Sequence, residues 1–136
     1  MHEIFEHTAD LGLRVRANDL PELFVEAGKG LFAMIVSNPD EIGGGAERRL
    51  EIAGQETDYL LFDWLNELLI LFEVEHFVAK EFDVQITANG MLANIRGEPL
   101  DPLRHRLEHE VKAITYHGLK VERRADGWLA EIIVDI

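Results

Sequence analysis

The sequence predicts an α+β fold: one two-layer domain over residues 1–136, with two long helices packed on a largely antiparallel sheet. Three observations predict it. Apolar residues recur at helical spacing in two long segments, one from Leu20 to Ile35 and one that begins at Thr57 and runs to Glu75. Most of the remainder is strand-like, most clearly where Leu11, Leu13, Val15 and Ala17 alternate with Asp10, Arg14 and Arg16. Asn89-Gly90 and Asp126-Gly127 then join strand-like segments that are neighbours in sequence, and a tight turn makes such a pairing antiparallel.

Taken in order, residues 2–5 predict a short strand and 10–17 a second. Asp19 is placed to cap a helix, with Pro21 in the first turn and Glu22 three residues past the cap. Leu20, Leu23, Phe24, Ala27, Leu31, Met34 and Ile35 form its apolar stripe. "SNPDEIGGG" predicts a surface loop with a mobile triple glycine at 43–45, and "RRLEIAG" a strand. Thr57 is the expected cap of the second helix, which is apolar nearly all round except for Asp63, Asn66 and Glu67. That narrow stripe reads as a solvated face or as a functional carboxylate stripe. Beyond residue 77 the pattern is strands: "FDVQITA", "MLANIRGE", then "VKAITYHGLKVERR" as one bent strand or two, and the final "WLAEIIVDI". No internal repeat, low-complexity segment or linker divides the chain.

Composition narrows the function. The chain has no cysteine, and Ser37, its one serine, sits in a turn, so serine- and cysteine-nucleophile hydrolysis is excluded along with disulfides and cysteine-ligated zinc. No strand–GxxxxGK–helix phosphate loop and no GxGxxG occur. No apolar run is long enough for a transmembrane helix and no signal peptide is recognisable at the start, so the expected location is cytoplasmic. Twenty-six acidic against thirteen basic residues give a net charge of −13. Such a surface repels phosphate backbones and argues against direct high-affinity nucleic-acid binding; it favours basic partners or divalent cations, or serves solubility alone.

Two constellations offer chemistry. His105-Arg106-Leu107-Glu108-His109 spells H-x-x-E-H, which on a helix puts two imidazoles on one face for zinc with the Glu as base. A small metal-dependent hydrolase would follow, but Pro102 precedes the segment and a β-branched stretch begins at Val111, which leaves little room for a helix. The second constellation joins the chain ends. Asp10 begins a strand, Asp135 ends one, and Ile136 contributes a main-chain carboxylate if the chain stops there. If those strands are neighbours, three carboxylates converge and repel, and a hard divalent cation such as Ca²⁺ or Mg²⁺ would compensate them with oxygen ligands. The alternative is that Asp10 closes a turn and the terminus is solvated.

"HTADLGL" at 7–13, "WLNELL" at 64–69, "GEPLD" at 97–101, "VKAITYHGL" at 111–119 and the closing "VDI" together resemble the archease family, in order and over the whole chain. The resemblance implies a fold related to the strand–helix–strand–strand module. It also implies an accessory role rather than catalysis: activation of a GTP- and metal-dependent tRNA or RNA ligase, through its guanylylation and multiple turnover, in tRNA splicing or RNA repair. A chaperone role toward RNA-modifying enzymes, including a tRNA methyltransferase, is the alternative it carries. It implies a divalent cation, Ca²⁺ with Mg²⁺ or Mn²⁺ as substitutes, held by Asp10, Asp135 and the main-chain carboxylate of Ile136. Lys112 and His105 fall on functional positions of the family pattern, whereas the place of His109 is not usually histidine there. His7 is expected to orient a carboxylate or touch the partner, or to be an ordinary half-exposed histidine, and Thr8 to close the turn. Lys112 is read as a contact near the acidic site or as a surface ion pair. Glu51, Asp63, Glu67 and Glu98 remain without assigned roles.

Overall fold

The computed structural model describes residues 1–7 and 9–136; the expected turn-closing role of Thr8 therefore lies outside the described residues. The chain runs β1 (His2–His7), β2 (Asp10–Ala17), α1 (Leu20–Ile35), β3 (Ala46–Ala53), α2 (Thr57–Glu75), β4 (Phe77–Thr87), β5 (Gly90–Pro99), β6 (Ala113–Ile114), β7 (Lys120–Arg124) and β8 (Gly127–Asp135). Every strand pair is antiparallel. The α+β expectation holds, but the strands form two sheets rather than one. A five-stranded sheet has the order β1-β2-β8-β6 with β7 also on β8, and a three-stranded sheet has the order β3-β5-β4.

Local chemistry sets α1 as predicted. The Asp19 carboxylate accepts the Glu22 N–H at 2.9 Å, which satisfies one of the free amides of the first turn, and the Glu22 carboxylate reaches back to the Asn18 N–H, just before the cap, at 3.3 Å. Two glycines then allow the helix to touch both sheets. A Cβ on Gly30 would sit 2.5 Å from Leu13 of β2, and one on Gly28 would sit 3.0 Å from the Phe82 ring of β4. Helix α2 closes the core with Trp64, fully buried, whose indole N–H donates to the Phe24 carbonyl of α1 at 2.9 Å. An apolar ring of that size can be buried only because its single donor finds a partner.

Three local expectations shift, and one open reading is decided. The α2 cap is Glu56 with no side-chain bond, and instead the Asp58 carboxylate takes the Tyr59 N–H at 3.1 Å. The loop after α1 is held rather than free: Ile42 is buried, and the Gly43 N–H donates to the Glu98 carboxylate. Both glycine turns begin one residue earlier than the dipeptides suggest, because Gly90 and Gly127 open β5 and β8. Gly90 has φ +156°, and a Cβ there would lie 2.0 Å from the Ile52 carbonyl oxygen, so closeness to β3 demands glycine as well as the turn. Finally, "VKAITYHGLKVERR" makes two strands, β6 and β7, separated by a turn in which Gly118 has φ +67°.

Candidate functional site

Strand β2 pairs with β8 so that Leu11 faces Val134, Gly12 faces Ile133 and Arg14 faces Glu131. The pairing ends at Leu11 and Val134; Asp10 and Asp135 are the next residues beyond that end, and Asp135 itself pairs with Ala113 of β6. The parity of the strands sends Leu11, Leu13 and Val134 into the core, and it puts Asp10 and Asp135 on the outer face with Gly12 and Ile133. On that face Arg14 binds Glu131 at 2.6 Å and Glu3 at 3.2 Å, while Lys120 reaches Glu131 at 3.3 Å. Burial works to raise the Glu131 pKa, but the bonds from Arg14 and Lys120 outweigh it and hold the carboxyl below its ordinary value. Asp10 and Asp135 have no such partners: among the described residues neither takes part in an ion pair or a side-chain hydrogen bond.

The other predicted residues divide between this end and the interior. His7 pairs with Asp10 across the β1–β2 turn, where Ala9 adopts φ +69°. Its Nδ1 is buried with no hydrogen-bond partner among the described residues, and its ring lies 5.7 Å from that of His117 in the β6–β7 turn. Lys112 is exposed, and its main-chain N–H donates to the Asp135 carbonyl at 2.7 Å, which ties the "VKA" segment to the same sheet end. Ile136 packs against the core beside it. Sequence reasoning did not single out His117, although "VKAITYHGL" contains it; only the β6–β7 turn brings it to His7.

His105 is elsewhere. It is 2% exposed, its Nδ1 accepts the Asp101 N–H at 2.9 Å, and its Nε2 meets the Glu98 carboxylate at 2.9 Å. Since Nδ1 accepts, Nε2 carries the proton and donates. Glu98 also takes a two-pronged contact from Arg104, at 3.0 and 2.6 Å. Arg104 above all, with the Gly43 N–H and His105, holds the Glu98 pKa down at about 2 against the opposing effect of burial. Residues 105–109 are not helical: Leu107 forms an isolated bridge to Val36, and the Glu108 and His109 N–H groups bond to the carbonyls of Ile35 and Met34. The H-x-x-E-H match therefore lacks the helix that would set both histidines on one face, and His105 is already engaged. This corrects the zinc-hydrolase expectation, for which bonding to the end of α1 leaves no room. Of the unassigned acids, Glu98 belongs to this network, Glu51 is exposed on β3, and Asp63 and Glu67 are half-buried on α2.

Whether this sheet end suits a divalent cation can be judged from its donors. Asp10, Asp135 and the main-chain oxygens of Ile136 offer oxygen ligands, the kind that Ca²⁺ and Mg²⁺ select. No group of three or more His, Asp or Glu side chains is gathered at metal-holding distance among the described residues. The set thus fits a hard cation in kind, with two side-chain carboxylates, and the remaining ligands would be main-chain oxygen and water.

The fold and this site define a class: a small acidic α+β protein in which β2 pairs with β8 and Asp10 and Asp135 sit at the same end of that pair. Comparison with known proteins supplies the particular family. The archease protein family model matches residues 2–136, and the chain belongs to that family. It is 40% identical to protein archease of Pyrococcus abyssi over 139 aligned residues, covering 98% of this chain and 97% of the relative. It is 39% identical to that of Methanopyrus kandleri, covering 98% of each. A solution structure of a Methanobacterium thermoautotrophicum protein superimposes with TM-score 0.87 at 30% identity, covering 99% of this chain and 98% of that one. A crystal structure from Thermotoga maritima, described as an archease and possible chaperone, matches with TM-score 0.66 at 26% identity over 100% of this chain and 98% of its own. No helix among the described residues is long and apolar enough to cross a membrane.

Proposed function

We propose that this chain is an accessory protein of RNA metabolism that activates a GTP- and metal-dependent RNA ligase, promoting its guanylylation and repeated turnover in tRNA splicing or RNA repair. The observation that supports this reading is the β2–β8 pairing, which ends at Leu11 and Val134 with Asp10 and Asp135 as the next residues, while the Lys112 N–H bonds to the Asp135 carbonyl. Family membership supports an accessory role over catalysis, as does the absence of a serine or cysteine nucleophile at this site. In this reading Asp10, Asp135 and the main-chain oxygens of Ile136 hold a divalent cation, Ca²⁺ or in its place Mg²⁺ or Mn²⁺. Bound there, the cation offsets the charge of the two aspartates and keeps a coordination position open to an oxygen ligand of the partner. Lys112 supplies a second positive charge at the same edge, and His7 flanks Asp10.

The test is a guanylylation assay of the cognate ligase with GTP, with and without this protein. Wild type should raise the yield of enzyme–GMP, and Asp10→Ala and Asp135→Ala should each remove the effect. Calorimetric titration of Ca²⁺, Mg²⁺ and Mn²⁺ into metal-stripped protein checks the cation separately, with saturable binding lost in Asp135→Ala. The description of the Thermotoga relative as a possible chaperone favours one second reading, a chaperone for RNA-modifying enzymes such as a tRNA methyltransferase. That reading predicts protection from aggregation that survives Asp10→Ala.

A further inference from the structure

The "VKAITYHGL" segment does more than reach the sheet end. Its β6–β7 turn sends His117 toward His7 and Tyr116 toward α2, where the Tyr116 ring stacks on Phe62 at 3.8 Å and 15°. Tyr59 meets the Tyr116 ring edge-on at 5.8 Å and 72°. These tyrosines are 51% and 57% exposed, and neither phenol has a hydrogen-bond partner among the described residues. With Asp58 and Leu119 they line a cavity of about 390 Å³. Aromatic rings that are stacked yet left half in water are an interaction surface more than a core.

The charge around them selects the occupant. Helix α2 carries Asp58, Asp63, Glu67, Glu73 and Glu75 and not one Lys, Arg or His in its 19 residues. Only Glu75 of these takes part in an ion pair among the described residues, with Arg48. Asp58 uses one carboxylate oxygen for the Tyr59 N–H, which leaves the other to accept. Asp63 lies one helical turn beyond Tyr59. Lys120, just past Leu119, is held by Glu131 at 3.3 Å. A planar guanidinium suits such a corner, since it can stack on a tyrosine face while donating to a carboxylate at the rim; a compact ammonium satisfies the two less well.

We propose that the Tyr59–Phe62–Tyr116 surface, bordered by Asp58 and Asp63, docks an arginine side chain presented on an exposed segment of a partner protein. This depends on the reading above only in that the partner is a protein, and its test needs no ligase. Isotope-labelled protein is titrated by NMR with acetyl-Gly-Arg-Gly-Arg-Gly-amide, with the lysine peptide, and with the uncharged citrulline peptide. The arginine peptide should shift amides of residues 58–63 and 115–119, the lysine peptide less, and the citrulline peptide not at all. Tyr59→Leu and Tyr116→Leu should each weaken binding about tenfold while Tyr59→Phe and Tyr116→Phe preserve it, because phenylalanine keeps a ring face and leucine keeps only apolar area. Both tyrosines are more than half exposed, so these variants should fold as wild type, checked by circular dichroism. Should one not fold, Asp58→Asn carries the test with the same expected direction. Shifts spread over all acidic residues and indifferent to Tyr→Leu would overturn the proposal in favour of unspecific attraction. Shifts at the same residues on raising protein concentration alone, with a dimer in sedimentation, would overturn it in favour of a second copy of this chain.

Discussion

Glu98 and Asp10 are both carboxylates on strands of an acidic protein, and the fold treats them in opposite ways. Glu98 receives Arg104 on both oxygens, the Gly43 N–H and the His105 ring, and its pKa falls to about 2. Asp10 lies just past the end of the β2–β8 pairing and, among the described residues, takes part in no ion pair or side-chain hydrogen bond. The first arrangement is complete within the chain: it pins the loop after α1 to the 98–109 connection. The second has no such partners among the described residues, and solvent can reach both aspartates. A compensated acid therefore marks a joint of the fold, and the uncompensated Asp10 is where the proposed cation would enter.

Breaking the joint should cost most. His105→Ala removes a buried ring and leaves the Asp101 N–H without its acceptor, so urea denaturation should show a loss of about 3 kcal/mol. Glu98→Gln should cost about 2 kcal/mol at neutral pH, since bonds to a charged group are lost or weakened. It should also change the acid limb of the stability curve. The folded Glu98 carboxyl sits at about 2 against an ordinary 4.5, so the unfolded chain takes up this proton first as pH falls. Its contribution is complete above about pH 4.5 and lost on descending toward about 2. Melting temperatures measured across that range should fall less steeply in Glu98→Gln than in wild type. Arg104→Lys, which keeps the charge but gives up the two-pronged contact at a half-exposed site, should cost under about 1 kcal/mol. Asp10→Asn should alter stability least, by no more than about 0.5 kcal/mol and in the stabilising direction, because it removes one negative charge from a chain of net charge −13. A loss as large as that of Glu98→Gln would show that Asp10 is a joint too, and the contrast between the two acids would fail.

Much of this was readable from the residues, and what was not has a common cause. The Asp19 cap, the α1 stripe and the alternation of 10–17 depend on neighbours within a few positions, and they stand where expected. The two glycine turns were recognisable as turns, but their placement moved by one residue because close approaches to Ile52 and Ala17 backbone decide which position must lack a Cβ. The part of the candidate site drawn from both ends of the chain was legible as a pair of aspartates, with no way to know that their strands were neighbours. His105 shows the converse: its ring was visible as a candidate ligand, and burial beside Glu98 turned it into an anchor.

By itself, then, the sequence determined the elements, because capping, periodicity and turn geometry are local and each is decided within one or two turns of chain. Tertiary structure alone decided that the strands divide into two sheets, that α1 lies against both through Gly28 and Gly30, and that β2 pairs with β8 across more than a hundred intervening residues. Those outcomes depend on which apolar faces bury each other, a property of the whole core. One residue of slip between β2 and β8 would turn Leu11, Leu13 and Val15 to water, and the burial of that face fixes the register that leaves Asp10 and Asp135 at the same end of the pair.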